Sequence, residues 1–126
     1  FVPVIANSDS RSILDIAKKI EILATHCKER DIAPSDLQGA TFTFTNIGSY
    51  GGIAATPLIP PGTAAILGVY RMKEKPIAKE GSIVVRKMLP LSVTFDHRII
   101  DGGTAAQFMN ELIKHLEDTE LFVLDV

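Results

Sequence analysis

Apolar residues recur along the chain with two different periods, and the changes of period mark out its elements. From Arg11 to about Arg30 they fall at Ile13, Ile16, Ala17, Ile20, Leu23, Ala24 and Cys27. That three-and-four spacing is one face of a helix, and the stripe is predicted to be buried. Thr41-Phe42-Thr43-Phe44-Thr45 alternates strictly, so three threonines take one side of a strand and two phenylalanines the other, with one face covered. Thr63 to Met72 is nearly continuous in apolar residues, as in a strand buried on both sides. A second helical stripe, Ala105, Phe108, Met109, Leu112 and Leu116, runs from about Thr104 to Glu117. Thr104 and Gln107 have the spacing of a capping box at its start.

The segments between these elements are read from their turn formers. Val2 to Ala6 is predicted as a short strand, demoted to an edge or a strand start by Pro3, with Asn7 to Ser10 as turn and cap. Asp31 to Gly39 reads as a loop with one helical turn, and Ala55 to Gly62, with three prolines, as an extended connector. Three glycines in Asn46 to Gly52 permit a tight turn or close approach of a ligand, but no GK[ST] ending makes it a phosphate loop. Lys73 to Pro76 interrupts the apolar run. Ile77-Ala78 and Ile83-Val84-Val85 flank a glycine-containing hairpin loop, and Leu89 to Phe95 is a further strand. The order strand, helix, several strands, helix predicts an α+β fold on a mixed sheet.

The 126 residues, 46% of them hydrophobic, are predicted to form one globular unit. Thirteen basic and fifteen acidic residues are interspersed, for a net charge of −2, so no nucleic-acid surface is expected. Cys27 is the sole cysteine, which leaves no disulfide framework and no thiolate cluster, and no metal site is expected. No apolar run approaches the roughly 18 residues of a spanning helix, and no membrane association is expected. The opening Phe1-Val2-Pro3-Val4-Ile5 reads like a strand interior, so the chain is expected to begin partway through a larger domain.

The chemistry concentrates in Asp96-His97-Arg98-Ile99-Ile100-Asp101-Gly102, where a strand gives way to a turn. A histidine of ordinary proton affinity is suited to take a proton from a thiol near neutral pH and return it. The flanking acids and arginine can orient it. The alternative is a strand-end histidine beside a local Arg98–Asp101 ion pair. His26 lies off the helical stripe and is expected on the surface. Cys27 lies on the stripe and is expected to pack there.

With these segments placed, the chain resembles the catalytic domain of the dihydrolipoamide acyltransferases, the core subunits of 2-oxo acid dehydrogenase complexes. DHRIIDG at 96–102 matches that family's DHRxxDG, TFTFTNIGSYGG at 41–52 its strand and glycine turn, and PGTAAILG at 61–68 the strand that follows. The resemblance covers the whole chain but only the second half of the family's domain. It implies that residues 1–126 are the C-terminal part of a chloramphenicol acetyltransferase-like domain, incomplete on its N-terminal side, with a mixed sheet flanked by helices. It implies His97 as the general base that deprotonates coenzyme A, and Thr45 as hydroxyl donor to the tetrahedral oxyanion, where β propensity alone would also explain a threonine. Asp101 would hold the active-site loop with Arg98, or cap the next helix. Asn46, Gly48 and Arg98 would contact substrate. Coenzyme A is then the cosubstrate, and the lipoyl group rides on a domain outside this chain. The implied partners are two further copies in a trimer, a cubic or dodecahedral core built from trimers through the apolar tail 121–126, the lipoyl domains and the other subunits of the complex. From the residues alone, the tail would be read as a final strand packed within its own chain. The implied location is a prokaryotic cytoplasm or the mitochondrial matrix. A non-catalytic scaffold of the same complex is the alternative, against which an intact His97 counts.

Overall fold

The Ser12 hydroxyl oxygen accepts the Asp15 N–H at 3.1 Å and so starts helix α1, Ile13–Glu29, in the computed structural model, which describes residues 1–121. The chain divides into two compact units, Phe1–Thr41 and Phe42 onward. In the first, residues 1–5 form no strand. Val4 donates one backbone hydrogen bond to the Asp36 carbonyl at 2.7 Å, beside a single helical turn at Pro34–Leu37. Pro3 has no N–H to give, so the pairing does not extend into a ladder. The predicted helical stripe is only partly covered. Leu23 is buried and Ile16 and Cys27 are half-buried, whereas Ile13 and Ile20 are exposed. A unit this small lacks the residues to cover a helix of five turns. His26, expected on the surface, is half-buried.

The second unit is built on β2, Ala65–Val69. Strand β1, Thr43–Asn46, pairs with it in parallel and β5, Leu91–Phe95, antiparallel, giving the sheet order β1-β2-β5. This is the expected mixed sheet. A central strand is flanked on both edges, and here residues 65–68 are all buried, as the continuous apolar run predicted. On β1 the alternation holds but the buried side is the threonine side. Thr43 is buried, while Phe44 is 60% exposed and Phe42 packs its ring on Phe108 at 5.7 Å.

Strands β3, Lys73–Lys79, and β4, Ser82–Met88, form a separate antiparallel hairpin. It is longer than predicted, because Lys73 to Pro76 continue the strand with Pro76 opposite Val85. In a two-stranded ribbon each strand has a free edge, so a missing N–H is tolerated. The loop is Glu80-Gly81, both with positive φ, the geometry whose twist matches the flanking strands. Helix α2, Gly102–Glu117, follows β5 and lies against it.

Candidate active site

The turn that carries His97 is held by its backbone. Asp96 donates its N–H to the Ala64 carbonyl at 2.9 Å, which prolongs the β2–β5 pairing to the end of the strand. The Asp96 carbonyl then accepts the N–H groups of Ile99 and Ile100 at 2.9 and 3.0 Å and closes the turn. The Asp96 carboxylate grips Arg98 through the backbone N–H and, in fork geometry, through Nε and Nη2, the shortest contact being 2.6 Å. These bonds from Arg98 hold the Asp96 carboxyl down at about 2. Arg98 therefore pairs with Asp96, not with Asp101.

Asp101 is the N-cap of α2. Its Oδ1 accepts the Thr104 N–H at 2.7 Å, and its carbonyl accepts the Ala105 N–H at 3.1 Å. The helix thus begins at Gly102, ahead of the expected Thr104. The bond from Thr104 is the main reason the Asp101 carboxyl lies below its ordinary value, and nearby His97 adds a smaller electrostatic contribution. Both acids that flank His97 are committed elsewhere. The imidazole is exposed, rests on the Phe95 ring with centroids 5.6 Å apart, and has no hydrogen-bond partner among the described residues. It opens on a cleft whose walls are residues 59–63 and 95–98. An imidazole placed in this way can exchange a proton with a group bound in the cleft.

Thr45 stands at the other end of the sheet. It pairs with Gly68 on β2, whereas Phe95, two residues before His97, pairs with Ala65. A single chain therefore does not bring Thr45 and His97 together. The Thr45 hydroxyl, half-buried, has no hydrogen-bond partner among the described residues. Asn46 next to it folds the glycine turn, its Oδ1 accepting the Gly48 N–H at 2.9 Å. Gly48 lies where a Cβ would be 3.2 Å from the Tyr70 backbone, so this glycine serves close chain packing. Two residues here were missed in the sequence. Arg71 donates Nε to the Gly48 carbonyl at 2.8 Å and Nη2 to the Ser49 carbonyl at 3.0 Å, and Tyr70 is buried with its hydroxyl bonded. Contacts across 15 to 23 positions leave no local pattern to read.

Residues 1–124 match the model of the family "2-oxoacid dehydrogenases acyltransferase (catalytic domain)". The chain belongs to that family. Among relatives of this acyltransferase family, the dihydrolipoyllysine-residue acetyltransferase component of the pyruvate dehydrogenase complex of Bacillus subtilis is 44% identical over 98% of the chain. The chain spans 28% of that relative's length. Dihydrolipoamide acetyltransferase of Azotobacter vinelandii, solved in a crystallographic and enzymatic study of a serine, a histidine and an asparagine in its catalytic mechanism, superposes with a TM-score of 0.94 at 37% identity. The cubic core of the pyruvate dehydrogenase multienzyme complex gives the same TM-score at 36% identity. Each superposition covers 98% of this acyltransferase-family chain and 51% of the solved one, so the expected fold is borne out for about half of such a domain.

Proposed function

We propose that the chain is the C-terminal part of an acyltransferase catalytic domain that moves an acyl group between dihydrolipoamide and coenzyme A. The observation that carries this is His97, without a hydrogen-bond partner among the described residues, open to a cleft, and flanked by acids already engaged. His97 takes the proton of the coenzyme A thiol. The thiolate attacks the acyl thioester, and Thr45 donates its hydroxyl to the oxyanion of the tetrahedral intermediate. As that collapses, the dihydrolipoamide sulfur leaves and recovers a proton from the imidazolium. Asp101 keeps the His97 turn in place as a helix cap, and Asn46, Gly48 and Arg98 border the substrate.

Two findings support these assignments. Thr45, His97 and Asp101 have the same separations along the chain as the serine, histidine and asparagine investigated in the A. vinelandii enzyme. Thr45 and His97 lie at opposite ends of one sheet, which favours a site assembled from two copies, His97 of one facing Thr45 of the next. We extend this to a homotrimer built into a larger core, served by lipoyl domains and the other complex subunits, in a prokaryotic cytoplasm or the mitochondrial matrix. The solved cubic core of the pyruvate dehydrogenase complex is in keeping with it.

The test is His97→Ala in the complete catalytic domain, assayed for acyl transfer to coenzyme A. General base catalysis contributes about 10²- to 10⁴-fold. Loss of that order with assembly intact is expected, and more than about a tenth of wild-type turnover would remove His97 from the chemistry.

A further inference from the structure

Across the sheet runs a row of three residues in direct register, Thr45 on β1, Gly68 on β2 and Ser92 on β5. Residues paired in this way point to one face. The middle one has no side chain. A Cβ at Gly68 would collide with the Tyr70 hydroxyl and lie 2.9 Å from Ser92 Oγ, so the tip of Tyr70 fills the space of the missing side chain, in the row that ends at Thr45. Tyr70 is 2% exposed. Its hydroxyl donates to the Ala55 carbonyl at 2.7 Å and lies 2.6 Å from Ser92 Oγ, which reaches the same carbonyl at 3.2 Å.

Ala55 belongs to residues 53–62, a stretch without helix or strand. It leaves the glycine turn that follows Thr45 and ends in the 59–63 wall of the His97 cleft. Among the described residues, the bonds from Tyr70 and Ser92 to Ala55 are the side-chain hydrogen bonds that tie this stretch to the sheet, since the hydroxyl of Thr63 bonds only back to Pro60 within it. We infer that Tyr70 is a positioning residue. Seated over Gly68, it pins a stretch of chain that runs from the Thr45 end to the His97 cleft. The inference rests on the acyl-transfer reading, because it assumes that each end of that stretch serves an acyl-transfer site. Displacements near an ångström at a reacting geometry cost about 10²-fold in rate, so a hydroxyl far from the chemistry can govern it.

Tyr70→Phe keeps the ring and removes the bond to Ala55. In the complete domain, amide exchange at residues 53–62 should quicken, and kcat should fall by about 10- to 100-fold while the shape of the pH–rate profile is unchanged. Ser92→Ala should produce a smaller change of the same kind, and Ser92→Thr, which retains the hydroxyl, should restore the wild-type rate. If Tyr70→Phe does not fold, the two Ser92 variants make the same measurement. Unchanged exchange, or faster exchange at an unchanged rate, overturns the inference. A His97→Ala variant that stays active would instead overturn the acyl-transfer reading. An inactive His97→Ala beside a fully active Tyr70→Phe would sink the positioning role alone.

Discussion

A carboxylate that already holds a guanidinium in fork geometry has little left for an imidazole, and this decides how His97 is prepared. Asp96 is spent on Arg98 and Asp101 on the first turn of α2. Asp96, held at about 2, lies below the roughly 3.9 of an unfolded aspartate, so its stabilising contribution is complete above about pH 4 and is lost as pH falls through 2. A carboxyl-carbon NMR titration should therefore place Asp96 near 2, and a midpoint near 3.9 would mean the Arg98 pair does not hold in solution. Thr45→Ala should lower kcat by about 10²- to 10³-fold with little change in the KM for coenzyme A, because an oxyanion donor acts only as charge develops. Weaker binding at an unchanged kcat would assign the hydroxyl to the ground state. The heptapeptide and the glycine turn were legible as candidate chemistry from residue types alone. The partner of Arg98 was not, because two acids lie within three positions of it and only the turn geometry selects between them. Thr104 looked like the helix cap by its spacing to Gln107, yet the ionised Asp101 takes the Thr104 N–H and begins the helix earlier.

Elements whose pattern reflects burial in the chain itself came out as expected, and those whose pattern depends on other surroundings did not. Strand β2 is covered by a strand on each edge and read correctly as a continuous apolar run. On β1 the alternation predicted a strand, but period two does not say which face is inward, and Thr43 is buried while Phe44 is exposed. The α1 stripe is real as a pattern, while Ile13 and Ile20 find no cover among the described residues. The hairpin was visible because Gly81 marks its turn. With φ at 77° there, Gly81→Val forces a β-branched residue into the left-handed region. It should cost about 1–3 kcal/mol. A denaturation midpoint unchanged by that substitution would show that the turn can adopt another geometry.

At the scale of the whole molecule, the acyltransferase reading calls for a site shared between copies and a core larger than a trimer. The tail 121–126 has five apolar residues in six positions, and all but Leu121 lie outside the described residues. Deleting 121–126 from the complete domain should convert large particles into active trimers, as measured by light scattering. Particles of undiminished mass would take the tail out of the assembly. The mixed sheet also sets an order in time. Strands β3 and β4 are joined by two residues, and such a hairpin closes in about 1–10 μs. Strand β1 meets β2 only in parallel, after the whole stretch from Ile47 to Ala64 has been gathered without a helix to shorten it, and each longer closure is entropically costlier. Thr45 therefore rides on the strand that joins the sheet late. In pulsed-label refolding, the amides of 43–46 should become protected after those of 82–88, so the last edge to form would be the one that carries the proposed oxyanion donor.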